Sequence, residues 1–263
     1  MSIVLYDRQG PNARKVSKRI SLVTWVVFAL LLGVAFTSLF EKGYFEPVLW
    51  LTLLDGEFIT LLFHGLVSTF TAALTAMFFS LSGGALIAFL FMSQSKLVRS
   101  CVRLWIEFFR GIPLLLLIFF IFLGGPALGL DISTFWSLVI GLSLFNSVVI
   151  AEIFRAGILS LPKGQAEAAY AIGLSRNETF RVILLPQAIR RMAPSLIAQL
   201  IVLLKETSFG FIIGYTEFLR DARTAVEFLG DNYSLSVYTL VAIIYFIVNW
   251  LLSLAAKQSQ KLI

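Results

Sequence analysis

The chain has 263 residues, 59% of them hydrophobic and 14% charged, with a mean hydropathy of +0.90. Values this apolar exclude an ordinary soluble domain and point to a multi-spanning membrane protein, and continuous rather than alternating apolar runs exclude a β-barrel. The net charge of +6 is spread unevenly, in the way that sets membrane orientation, so a nucleic-acid partner is not expected.

In chain order, residues 1–21 form a basic tail with Arg8, Arg14, Lys15, Lys18 and Arg19. Residues 22–40 are apolar and lack a small-residue cleavage site, so they read as a retained span rather than a signal peptide. The next run, 58–92, is about 52 Å long as a helix, too long for one crossing of a core about 30 Å thick. A short surface helix over 58–65 ahead of the true span is expected to absorb the excess. Ser80, Gly83, Gly84 and Ala88 give that span a small face suited to close helix packing. A third span is expected at 97–123, with Glu107 and Arg110 inside it and a kink at Gly111-Ile112-Pro113. The fourth, 134–158, carries Asn146 and Ser147 near its middle and closes with Glu152 and Arg155. The fifth, 195–214, places Lys205 and Glu206 near mid-membrane, followed by Thr207 and Ser208. A sixth, 235–256, leads to a tail at 257–263 with Lys257 and Lys261. The fold class is therefore all-α integral membrane with about six transmembrane helices. The excess of Lys and Arg puts both termini on the cytoplasmic side, and the other side collects Glu41, Glu46, Asp55, Glu57, Asp131, Glu217, Asp221, Glu227 and Asp231.

Between the fourth and fifth spans lies a cytoplasmic loop, 160–191, dense in helix signals. Pro162 suits a helix start, residues 164–172 are good helix formers, and Gly173 suits the residue just past a helix end. Ser175 and Glu178 have capping-box spacing for a second helix, which Pro186 breaks or kinks. The first short helix presents Ala166, Ala168 and Ala169 beside Tyr170 and Ile172, and Lys163 and Glu167, four apart, can pair with each other or with a partner. Such a helix buries little by itself and suits docking, although a surface helix without a partner has the same grammar.

Glu167-Ala168-Ala169, three residues, Gly173, nine residues, Ile183, one residue and Leu185-Pro186 resemble the EAA loop of ATP-binding-cassette importer permeases. Residues 107–115 (EFFRGIPLL), 151–165 (AEIFRAGILSLPKGQ) and 203–209 (LLKETSF) resemble the branch serving polar amino acids such as histidine, arginine, glutamine and glutamate. The tail at 4–15 is similar to tails of actinobacterial glutamate permeases. The resemblance implies the type I importer membrane domain, with a permease core at 58–256 and an extra span and outer loop at 22–57. It also implies a second permease chain, identical or related, two ATPase subunits carrying ATP and Mg, and an extracytoplasmic amino-acid-binding protein. Residues 167–173 would be the coupling helix that enters the ATPase, with Glu167, Ala168, Ala169, Gly173 and Pro186 as its motif.

No phosphate-cradling G-x-x-x-x-G-K-[ST] occurs, so ATP hydrolysis is expected on another polypeptide and the chain itself is expected to be non-catalytic, without a cofactor. One histidine, His64, and one cysteine, Cys101, exclude a His/Cys metal cluster. His64 reads as an interfacial or packed histidine near a helix start, Cys101 as a buried small hydrophobe at a helix end. Glu107, Arg110, Asn146, Glu152, Lys205, Glu206, Thr207 and Ser208 are the candidate translocation path, since an amino acid carries both charges and charged groups in spans are costly. The competing reading pairs Glu107, Arg110, Lys205 and Glu206 in a structural network. The competing function is an ion-coupled carrier or channel acting without an ATPase.

Overall fold

A computed structural model describes residues 11–261, with side chains at 16–258. Arg8 and the rest of residues 1–10, and residues 262–263, lie outside the described residues. The described chain is helical throughout, without strands: α1 (Pro11–Glu41), α2 (Pro47–Leu51), α3 (Gly56–Phe91), α4 (Lys96–Gly111), α5 (Leu114–Ala127), α6 (Thr134–Leu159), α7 (Lys163–Ala171), α8 (Arg176–Glu178), α9 (Leu185–Glu206), α10 (Phe218–Leu229) and α11 (Ser234–Lys261). Five helical segments are long and apolar enough to cross a membrane, or six if the bent pair α4–α5 is counted.

Two expected spans are corrected. No separate surface helix forms over 58–65: α3 is one 36-residue helix from Gly56. Asp55 caps it, accepting from the amide of Glu57 at 2.9 Å, and no proline interrupts it. Its hydroxyls at Thr60, Thr71, Thr75 and Ser82 bond back to carbonyls four residues earlier, so polar side chains cost it no helical turn. A helix of about 54 Å is accommodated by tilt and by its ends leaving the hydrocarbon. The third span is in turn two helices bent by 95°. Gly111 ends α4, Ile112 is extended (φ −94°, ψ 127°) as a residue before proline must be, and Pro113 opens α5. The bend falls at the expected Gly111-Ile112-Pro113, and Glu107 and Arg110 lie exposed on the helix that precedes it. Cys101 is exposed on the same helix rather than buried.

Helix α6 is the centre of the bundle. It packs along α3 and against α5 and α9, burying Leu138, Leu142 and Ile150 completely, with Ile118 from α5 and Leu203 from α9. The small face of α3 meets it. A Cβ on Gly84 would sit 2.6 Å from Ile150 Cγ2 and 3.0 Å from the Ser147 carbonyl oxygen, so only glycine allows the two backbones this close. Toward the acidic side a second core joins Phe58 and Leu62 of α3, Phe218, Ala222 and Val226 of α10, and Val237 and Val241 of α11. Helix α1 has no buried residue among those described. Its end borders α11, where Leu39 and Tyr44 line a cleft of about 690 Å³ with Tyr238 and Phe246.

Helix α10 is capped by Glu217, which is fully buried in the segment between the last two spans. Its carboxylate accepts from the amides of Leu219 (3.0 Å) and Arg220 (2.8 Å) and the hydroxyl of Tyr245 (3.4 Å) on α11. Burial is the largest influence and pushes the carboxyl up to about 7; the nearby Asp221 charge adds to this, while the amides and Tyr245 oppose it. Asp221, also raised by burial, faces His64 of α3 and Arg220. The folded state thus holds a proton more tightly than an unfolded chain, where a glutamate titrates near about 4.3. The stabilising contribution is complete below that value and is lost as pH rises through about 7. The thermal midpoint of the purified protein is expected to fall between about pH 5 and 8, with a shallower slope in Glu217→Gln. An unchanged slope in that variant would show that Glu217 is not the titrating group.

Candidate functional sites: an exposed helical loop and an intramembrane polar cluster

The loop after α6 forms the two helices its sequence spells. At the end of α7, Gly173 adopts φ +88°. Its amide donates to the Tyr170 carbonyl (3.0 Å) and that of Leu174 to the Ala169 carbonyl (3.1 Å), the paired bonds of a Schellman end that needs a left-handed residue. Ser175 then caps α8 in a reciprocal capping box: Ser175 Oγ accepts from the Glu178 amide at 3.4 Å, and Glu178 Oε2 accepts from the Ser175 amide at 2.9 Å.

Pro186 does not break the second helix. A π-helical turn at Thr179–Leu184 precedes it and the proline sits in the first turn of α9, where its missing N–H costs little. Helix continues from Arg176 to Ile213, so the fifth span starts well before residue 195. Arg191 of α9 donates to the Ser160 carbonyl at 2.5 Å, and Leu161, Ala188 and Met192 form a small core beneath the loop. These contacts fix the junction of α6 and α7 on α9, while α7 itself packs on the Thr179–Leu184 turn. Ala169 is buried against the loop, whereas Glu167, Ala168 and Gly173 are exposed, with Tyr170 48% and Ile172 79% exposed. Lys163 and Glu167 form no ion pair with each other among the described residues. The outward face of α7 is thus short, small-sided and tipped with unpartnered apolar residues.

The second constellation lies between α6 and α9. Asn146, at mid-length in α6 and fully buried, donates to Glu206 Oε2 at 2.9 Å and to its own Leu142 carbonyl at 3.0 Å. Gln199 Nε2 donates to Asn146 Oδ1. The result is a chain Gln199–Asn146–Glu206 joining the helices. Sequence reasoning missed Gln199, although it precedes Glu206 by seven residues, two helical turns, and so shares its face. The expected four-charge network does not form. Arg110 pairs instead with Glu152 at 2.6 Å, with side chains 60% and 42% exposed. Glu107 borders the same exposed cleft. Lys205 points away from Glu206 and is exposed, lining a groove with Ser208, Tyr238, Tyr245 and Asn249. The hydroxyls of Thr207 and Ser208 bond back to the Leu204 and Lys205 carbonyls at 2.8 and 2.7 Å. The candidate path residues therefore fall into three places: the Arg110–Glu152–Glu107 cleft, the Asn146–Glu206 chain and the Lys205–Ser208 groove.

Residues 80–263 match the family described as the binding-protein-dependent transport system inner membrane component. The chain belongs to that family. It is a transport permease subunit, an inner-membrane protein of several passes, and its relatives are ABC importer permeases, which work with ATPase subunits and a binding protein. A probable glutamine ABC transporter permease of Bacillus subtilis is 34% identical over 203 residues, 77% of this chain and 93% of that one. A glutamate transport system permease of Corynebacterium glutamicum is 33% identical over 224 residues, 84% of this chain and 81% of that one. The fold is that of a solved amino acid ABC transporter with histidines, at TM-score 0.75 and 29% identity, covering 81% of this chain and 98% of the other. An inward-facing methionine ABC transporter shares the fold at TM-score 0.63 and 21% identity, covering 78% of this chain and 99% of that one.

The polar chain is expected to fix how α6 and α9 pack. Asn146→Leu strands both partners, and a loss of about 1–3 kcal/mol is expected in the unfolding free energy measured in detergent. A double-mutant cycle of Asn146→Leu with Glu206→Met should show coupling of about 0.6–1.7 kcal/mol; additivity would mean that the two side chains do not interact.

Proposed function

We propose that this chain is the permease of an ATP-driven importer of glutamate or another polar amino acid, coupled through α7 to separate ATPase subunits. The observation that carries the reading is the exposed, Schellman-ended α7, whose entry from α6 is tied to α9 by Arg191 on Ser160, on the side rich in Lys and Arg. Relatives named for glutamate and glutamine support the substrate class. In this reading the basic side and both termini are cytoplasmic. Two ATPase subunits carry ATP and Mg, a second permease chain completes the membrane domain, and a binding protein delivers substrate to the acidic face.

Glu167 and the small residues Ala168 and Ala169 seat α7 in the ATPase, and Gly173 and Pro186 shape the turn and helix entry around it. A path for an amino acid needs both charges. Lys205 and Arg110 suit its carboxylate, while Glu206, Glu107 and Glu152 suit its ammonium. Asn146, Thr207 and Ser208 supply neutral polar surface. Of these, Lys205 has the strongest support, because it is cationic, unpaired among the described residues and deep in the fifth span.

The test uses the transporter assembled with its ATPases and binding protein in vesicles. ATP-dependent uptake of labelled glutamate, glutamine, aspartate, histidine and arginine identifies the substrate. Gly173→Val forces a β-branched residue into the left-handed region at a cost of about 1–2 kcal/mol. It is expected to lower uptake at least about tenfold, as is Glu167→Lys, while membrane insertion is retained. Normal uptake in both variants, with ATPase still bound, would remove the coupling role. Lys205→Met is expected to abolish uptake in a complex that still assembles and hydrolyses ATP; failure to assemble would make Lys205 structural.

A further inference from the structure

Helix α4 carries three stripes. At 3.6 residues per turn, Val102, Ile106 and Phe109 share the face that packs on the core beside Val148 and Leu117. Leu97, Cys101, Leu104 and Phe108 share a second face, and these apolar side chains remain uncovered, Leu97 at 74%, Leu104 at 69% and Phe108 at 58% exposure. Lys96, Arg99, Arg103, Glu107 and Arg110 share the third. The stripes lie about 120° apart. An uncovered apolar stripe beside a cationic one, on a helix turned 95° from the span that follows, is the pattern of a helix lying at the boundary between hydrocarbon and water.

A cleft of about 370 Å³ opens beside the cationic stripe, between α4 and the ends of α3 and α6. Its charged lining is Arg103, Glu107, Arg110, Glu152 and Arg155, above a floor that includes Ile87 and Ala151. Three cations against two carboxylates leave one positive charge in excess. Arg110 is occupied by Glu152 at 2.6 Å, whereas Arg103 and Arg155, on opposite walls, have no ion pair among the described residues.

We infer that this cleft binds the phosphate of an anionic glycerophospholipid, gripped between Arg103 and Arg155, with its acyl chains along Leu97, Leu104 and Phe108. Guanidinium groups match phosphate oxygens in bidentate geometry. A soluble anion would satisfy the arginines and leave the apolar stripe uncovered. A phospholipid presents an anionic phosphate next to hydrocarbon, as α4 presents a cationic stripe next to an apolar one. The inference is independent of which amino acid is carried, and a lipid in this cleft leaves the amino-acid path to Lys205 and Glu206 rather than to Glu107, Arg110 and Glu152.

The test places the transporter, assembled with its ATPases, in phosphatidylcholine nanodiscs and titrates spin-labelled phosphatidylglycerol, reading the motionally restricted fraction. Wild type is expected to prefer phosphatidylglycerol to spin-labelled phosphatidylcholine. Arg103→Gln and Arg155→Gln are each expected to lower that preference about fivefold, and Arg103→Lys, which keeps the charge but loses the fork, to restore only part of it. Lys96→Gln, on the same stripe but outside the cleft, is expected to change it by less than about twofold. Equal losses from Lys96→Gln and Arg103→Gln would reduce the effect to diffuse surface charge and overturn the inference. Displacement of the lipid by equimolar inorganic phosphate would also overturn it, by showing that the ligand is a soluble anion.

Discussion

Everything in this bundle is referred to the close approach of α3 and α6. In lipid, apolar side chains gain nothing by leaving solvent, so helices associate through packing and polar contacts. Gly84 against Ile150 and the Ser147 carbonyl, with Gly83, whose added Cβ would lie 3.1 Å from Ser147 Cβ, bring two helical backbones together where any larger residue would hold them apart. This contact fixes the height and rotation of α6. It thereby places Asn146 toward α9, Glu152 toward α4, and the end of α6 where α7 begins. Three of the candidate regions are thus positioned by one helix whose own register is set by two glycines.

What was legible in the sequence was local. Gly173 and the Ser175/Glu178 pair announce their backbone geometry through side chains within a few residues, and both ends form as expected. The small face of α3 was equally readable, because its period is that of the helix. Hydropathy averaging failed where a segment serves two environments. Residues 97–123 have the bulk apolarity of one span, yet the charged stripe of α4 repeats every three or four residues. That period, read before averaging, separates a surface helix from the span after Pro113. Cys101 went wrong for the same reason, since its place on the uncovered stripe follows only once α4 lies outside the span.

The polar partners were harder to find, because pairing across helices depends on rotation that composition does not encode. Glu206 and Lys205 are adjacent in sequence, but adjacent residues on a helix point about 100° apart. One therefore meets Asn146 and the other a groove beside α11. A pairing scheme built on charge alone joins them to Glu107 and Arg110, which sit too near the basic face to reach. Asn146 is neutral and so was weighed below the charges, yet it holds the centre of the chain because an amide both donates and accepts.

The π-helical turn at Thr179–Leu184 links the loop to this interior. Ending the helix at Pro186 would have left α7 on a flexible tether. The widened turn instead takes up the proline while helix persists from Arg176 to Ile213. The capping box that follows α7 and the carboxylate of Glu206 therefore belong to one helical segment, tied to α6 by Arg191 on Ser160 and, near its far end, by Asn146 on Glu206. Pro194, inside this segment, removes one bond of its backbone ladder. A π-turn is also the weakest place in such a rod, so the same feature that preserves continuity sets where the rod would bend.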